Sequence, residues 1–259
     1  MKQGQLTELI GLAPLKDVLN GICENGAVYA LSYAAPPHFL LNLEPGNGQS
    51  TVARHIARVY QKANVRRFGG LDAFLEFSLD GTMAQMKQVF GDIKSSAVYT
   101  NEYEGVVALD ISALAAHINE AQADVFFREI KQIAAFATFV FYITPGAQRH
   151  APRLAEKLCG AVENVEIIAF APYTKRELAA MIELKITERG IRMEDDLCFG
   201  EYMALRLTEE EIISAKQAVR FAEKMIRSVR FEGMTAVLGR RELEAAFTCG
   251  AELERCVNR

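Results

Sequence analysis

Apolar residues recur along this chain at two different spacings, and the pattern changes near residue 171. Leu15, Val18, Leu19, Ile22, Val28 and Leu31 fall on one helical face, predicting an amphipathic helix over 12–31 with Pro14 near its start. Pro36-Pro37 breaks the chain, and Phe39-Leu40-Leu41 is a short apolar run of buried-strand type. Residues 51–61 return to helical spacing, with Val52, Ile56 and Val59 together. Alternation over 74–79 predicts a strand, and 83–93 a helix. Gly-Val-Val-Ala-Leu at 105–109, Thr-Phe-Val-Phe-Tyr-Ile at 138–143 and the stretch 165–170 predict buried strands, with a helix over 121–135 between the first two.

After Ala171-Pro172 only helical spacing is left. Helices are predicted over 174–189, 195–205, 214–231 and 240–256, with no strand among them. Thr174 followed by Glu177 is a capping box, which marks a helix start. Strand–helix alternation followed by helices alone predicts an α/β domain with a parallel sheet over 1–171 and a small all-helical unit over 172–259. No internal repeat or low-complexity linker interrupts either part. Phe126, Phe127, Phe136, Phe139 and Phe141 gather around one helix and one strand, as core packing requires.

Composition narrows the setting. The chain has 259 residues, 50% hydrophobic and 24% charged, with a net charge of −4, a balance that argues against non-specific attraction to nucleic acid or anionic membrane. Residues 1–8 are polar and lack a signal-peptide profile, and no apolar run approaches the roughly 18 residues of a membrane span. A cytoplasmic protein is the expectation. Its five cysteines (Cys23, Cys159, Cys198, Cys249, Cys256) are scattered, predicting reduced thiols that are mostly buried. The histidines (His38, His55, His117, His150) form no metal-binding pattern.

Candidate chemistry lies after the first buried strand, in Leu43-Glu44-Pro45-Gly46-Asn47-Gly48-Gln49-Ser50-Thr51. A glycine turn between strand and helix can aim backbone N–H groups at phosphate oxygens, and the helix N-terminus adds partial positive charge. Against the pattern G-x-x-x-x-G-K-[ST], however, Leu43 stands for the first glycine and Gln49 for the lysine, while Gly48 and Ser50 match.

Three segments in the same order resemble the AAA+ family, most closely the branch of the stage V sporulation protein K type and the red-type rubisco activases. Pro45-Gly46-Asn47-Gly48-Gln49-Ser50-Thr51-Val52-Ala53-Arg54 resembles that branch's P-loop, after an N-terminal Glu8-Leu9-Ile10-Gly11-Leu12 of family type. Gly105 to Leu114 resembles its Walker B segment, and Pro172-Tyr173-Thr174-Lys175-Arg176-Glu177-Leu178 its step into the helical lid. The resemblance implies a P-loop NTPase core and lid. It implies nucleotide contacts from Leu9, Ile10, Gly11, Pro45, Gly46, Asn47, Gly48, Gln49, Ser50, Thr51 and Thr144. It also implies Mg²⁺ ligation by Ser50 and Asp110.

The charges that drive hydrolysis in that family are missing. Gln49 replaces the phosphate-binding lysine and Ile111 the water-activating glutamate. Val162 and Asn164 stand where the family has trans-acting arginines, and Gln217 where the lid has its sensor arginine. Phosphoryl transfer is largely charge neutralisation and positioning, so these losses together imply a pseudo-ATPase. Residues 78–82 lead directly into a helix without the aromatic pore loop of the family, which argues against polypeptide threading.

Two functions are carried forward. One is a non-catalytic interaction or assembly module that takes ATP or ADP with Mg²⁺ weakly. Its partner is a protein, either an active AAA+ paralogue or a second copy of itself. The other is a slow but genuine ATPase remodelling a protein partner. Arg54, one helical turn beyond Ser50, is the nearest cation that could substitute for a lost charge, and its spacing directs it along the helix. Lys216, Arg220, Lys224, Arg227 and Arg230 recur on one helix; a solvated face explains them better than a nucleic-acid stripe in an acidic chain.

Overall fold

A computed structural model describes residues 9–31, 34–65, 74–96, 105–144, 146–147, 151–194, 197–209 and 212–247. The chain divides into two compact units. One is Leu12–Phe170; the other comprises residues from 171 onward together with the segment ending at Gly11.

In chain order the first unit contains α1 (Ala13–Glu24), α2 (Gly26–Ala30), β1 (His38–Asn42), α3 (Gln49–Lys62), β2 (Phe74–Ser78) and α4 (Met83–Ser95). It continues with β3 (Gly105–Asp110), α5 (Ser112–His117), α6 (Glu120–Ile133), β4 (Ala137–Ile143), α7 (Ala151–Ala161) and β5 (Val165–Ala169). The single helix predicted over 12–31 is two helices, interrupted at Asn25. Asn25 also donates its side-chain amide to the Gly21 carbonyl, a local bond that competes with helix continuation.

The strands form one sheet in the order β2-β3-β4-β1-β5, and every described pairing is parallel. β4 is buried along its whole length between β3 and β1, which accounts for its unbroken apolar run. Phe139 stacks on Phe141 with ring centroids 5.2 Å apart, and Phe126 of α6 packs edge-on to Phe141 and against Phe90 of α4. Around them Ile111, Leu114, Ile130 and Ile133 complete the core. Helix starts are closed by side chains: Thr82 caps α4, and Asn119 forms a reciprocal capping box with Gln122 on α6.

The second unit contains α8 (Lys175–Thr187), β6 (Arg192–Met193), α9 (Phe199–Glu209), α10 (Ala215–Ile226), β7 (Arg230–Glu232) and β8 (Thr235–Leu238), followed by helix over 240–247. The α/β class with a mainly helical C-terminal part stands, but this unit also carries a three-stranded sheet in the order β6-β8-β7. The helix expected over 214–231 ends at Ile226, and Arg230–Glu232 pairs antiparallel with Thr235–Leu238 across a turn at Gly233. Strands this short leave no periodicity for a sequence reading to detect. The Arg230 guanidinium pairs with Glu194, Glu232 and Glu242, tying the hairpin to β6 and the last helix. The predicted helix beyond residue 247 lies outside the described residues.

Thiol burial differs from expectation. Cys159 and Cys198 are exposed and Cys23 is half-buried, all three unbridged; Cys249 and Cys256 lie outside the described residues. Cys159 and Cys198 sit on or beside surface helices whose apolar contacts are supplied by neighbours such as Leu158 and Phe199.

Candidate nucleotide site

The loop between β1 and α3 occupies the carboxyl end of β1, whose two neighbours, β4 and β5, lie on opposite sides of it. The crossover through α3 runs to β2 at the far edge, so β1 marks a reversal of strand order, the place where open α/β sheets bind ligands. Gly46 and Gly48 both take positive φ, +87° and +89°, and Gly48 is the N-cap of α3. That left-handed geometry suits glycine and turns successive amides inward. No side chain caps α3, so the amides of its first turn remain directed at the loop. The turn is a potential anion nest built from backbone.

Side chains around the nest are committed to the protein itself. Gln49, in the lysine's place, donates Nε2 to the Leu43 carbonyl at 3.1 Å, bracing the loop across its own width. Leu43 is buried, and its amide bonds to the Ile143 carbonyl at the end of β4. Ser50 donates its hydroxyl to Oε1 of Glu76 at 2.6 Å. Tyr142 donates its hydroxyl to the Gln49 carbonyl at 2.5 Å. Burial pushes the Tyr142 hydroxyl well above its ordinary pKa, and the nearby Glu76 and Asp110 carboxylates push it further, so it stays protonated as a donor.

At the ends of β3 and β4, Asp110 Oδ1 accepts from both the amide (3.0 Å) and the hydroxyl (2.6 Å) of Ser112. The same hydroxyl accepts from the Thr144 amide at 3.0 Å. Asp110 and Thr144, separated in sequence, are therefore linked through Ser112. Ile111 is fully buried in the core cluster, with its amide bonded to the Tyr142 carbonyl. Position 111 is thus a core position.

Other expected residues lie elsewhere. Val162 packs into the core cluster, and exposed Asn164 donates its amide to the Ala35 carbonyl. Leu9, Ile10, Gly11 and Gln217 belong to the second unit. Gly11, at φ +77°, lies against the Tyr173 ring and Glu177; a Cβ there would come within 2.8 Å of the ring. Burial and the neighbouring Glu177 charge push the Tyr173 hydroxyl up to about 12. Gln217 accepts from the amide and hydroxyl of Ser214 as half of a capping box, so it closes its own helix. Arg54 lies over the Phe74 ring at 5.5 Å. Residues 79–82 form a tight turn in which Asp80 accepts from the Thr82 amide at 2.7 Å, leading into α4.

Sequence reasoning missed Glu76, Ser112 and Tyr142. Asp110-Ile111-Ser112 carried a usable signal, because an aspartate readily accepts from the amide two residues on. A tyrosine inside a buried strand also demands a partner for its hydroxyl. Nothing in the sequence couples position 76 to position 50.

No model of a known protein family matches the chain, and no curated protein does. Solved structures match over most of its length. The Thermotoga maritima RuvB Holliday junction branch migration motor superposes with a TM-score of 0.59 at 17% identity, over 93% of this chain and 70% of that one. The fold is that of an AAA+ P-loop module. Aeropyrum pernix ORC1, solved in complex with DNA, matches this module with a TM-score of 0.53 at 18% identity, over 98% of this chain and 70% of that one. A structure describing katanin self-assembly matches at 0.54 and 16%, over 92% and 82%. Among the described residues no helix of the module is long and apolar enough to cross a membrane, and no cluster of three or more His, Cys, Asp or Glu is arranged to hold a metal ion.

Proposed function

We propose that this chain is a catalytically impaired AAA+ like module that takes ATP or ADP weakly and acts as an interaction or assembly component. Burial of Ile111 carries the reading. The site has no carboxylate to activate water at that position, and none can be restored there without placing a charge in the core. Gln49 supports it, because its amide braces Leu43 and supplies no positive charge to a phosphate. The sequence features favour the sporulation protein K and red-type rubisco activase branch within this fold.

The backbone nest at Gly46, Gly48 and the start of α3 fits a phosphate. Pro45, Asn47, Gln49, Ser50 and Thr51 would surround it, and Leu9, Ile10, Gly11 and Thr144 are the further nucleotide contacts of this reading. Mg²⁺, if held, would fall to Ser50 and Asp110, each of which already spends an oxygen on a protein partner. A bound Mg²⁺ would supply charge neutralisation for the phosphates.

The partner is a protein, an active AAA+ paralogue or a second copy of this chain. Katanin self-assembly at 0.54 similarity supports assembly through this fold. Nucleic acid ranks below a protein partner, because the net charge is −4 and Arg230 of the basic series is already held by three carboxylates. Exposed thiols at Cys159 and Cys198 suit a reducing, cytoplasmic setting. The second reading, a slow ATPase, is favoured by the intact Asp110–Ser112–Thr144 network.

Phosphate release by the purified protein, alongside calorimetric titration with ATP and ADP with and without Mg²⁺, separates the two readings. Binding without release supports the proposed module. Gln49→Lys should leave phosphate release at background, because the carboxylate and the arginines are still absent. Turnover restored by that one change would sink the multiple-loss reading.

A further inference from the structure

We infer that Glu76 is a specificity-determining residue of the phosphate loop, one that sets the loop against highly charged phosphates. The inference rests on the reading that the backbone nest still accepts an anion. Glu76 lies on β2, the edge strand, opposite Ala108 of β3, and the crossover from the loop delivers α3 alongside it. Its Oε1 lies 2.6 Å from the Ser50 hydroxyl, in the first turn of α3, beside the amides that would receive a phosphate.

Among the described residues no ion pair neutralises it. Gln49 is neutral and turned to Leu43. Arg54, on the next turn of α3, lies over Phe74 at 5.5 Å, and among the described residues no ion pair joins it to Glu76. Asp110 is close enough to act with Glu76 on the same Tyr142 hydroxyl. A ligand phosphate therefore meets a favourable helix terminus and an unfavourable carboxylate at once. The nest offers a fixed number of amides, whereas repulsion from Glu76 grows with every charge the ligand carries. Affinity then falls from AMP through ADP to ATP in the absence of divalent ions, the reverse of the order a lysine-bearing loop favours.

Calorimetric titration of the full chain and Glu76→Gln with AMP, ADP and ATP, without divalent ions and then with Mg²⁺, tests this. Glu76→Gln should bind metal-free ATP at least about tenfold more tightly than the parent, with AMP shifted by no more than about twofold. Glu76→Ala provides the same test should the glutamine variant melt early. Equal ATP affinity, weaker ATP affinity or an equal gain for all three nucleotides would overturn the assignment alone, whereas no detectable binding by any of the proteins would overturn the reading that the nest accepts an anion and the assignment with it. Weaker binding in the presence of Mg²⁺ alone would also overturn it, making Glu76 a metal-side group. Wild-type turnover of ATP would defeat the non-catalytic reading while leaving the affinity ratios readable, so the two failures are distinct.

Discussion

The middle of the main sheet and its carboxyl-terminal rim touch directly, through the bond from the Leu43 amide to the Ile143 carbonyl, yet they obey different physical demands. In the middle, β4 buries every residue and Phe126, Phe139 and Phe141 interlock, so shape and apolarity are what matter. At the rim, polar side chains are committed one by one to particular backbone and side-chain partners, as Gln49 is to the Leu43 carbonyl, while the strands beneath stay in register. The fold and the polar rim are thus held by largely separate sets of residues, so a change in one need not disturb the other.

That separation can be broken experimentally. Phe126→Ala, at a fully buried ring touching Phe90 and Phe141, should cost about 3–5 kcal/mol in denaturant unfolding. A cost below about 1 kcal/mol would mean the aromatic cluster does not carry the core. Ile111→Glu tests the boundary between the regions, since it places a carboxylate where this chain has a core side chain. It should cost at least about 3 kcal/mol and leave phosphate release at background. A stable Ile111→Glu protein that turns over ATP would show that the rim, not the core, governs this position.

A finer probe is Tyr142→Phe, which removes the bond to the Gln49 carbonyl and should cost about 1 kcal/mol near neutrality. The folded pKa of this hydroxyl is raised, so its contribution is complete below the unfolded value of about 10 and is lost as pH climbs above it. The parent should therefore lose stability faster than Tyr142→Phe at alkaline pH. Parallel pH profiles would place the hydroxyl outside the loop's support.

How much could be read beforehand follows the same division. β1, β3 and β4 were legible because a buried parallel strand is a continuous apolar run, and α8 because Thr174 and Glu177 announce its start. The glycine turn between β1 and α3 was legible because its glycines and helix start are local. The small sheet of the second unit was not, since three-residue strands such as Arg230–Glu232 hold no repeat. The Ser50–Glu76 bond was also hidden, because it joins residues on α3 and β2 that only the crossover brings together. α7 was assigned no element beforehand, although Leu154 and Leu158 on that helix point into the core.

Gly11 has a consequence for how this protein is made. It packs on Tyr173 and Glu177, yet it leaves the ribosome ahead of the entire sheet, and its partners follow behind that sheet. The early segment must wait, without its native neighbours, until translation has passed α8. Removing the segment that carries Gly11 would thus damage a unit that is synthesised after the sheet.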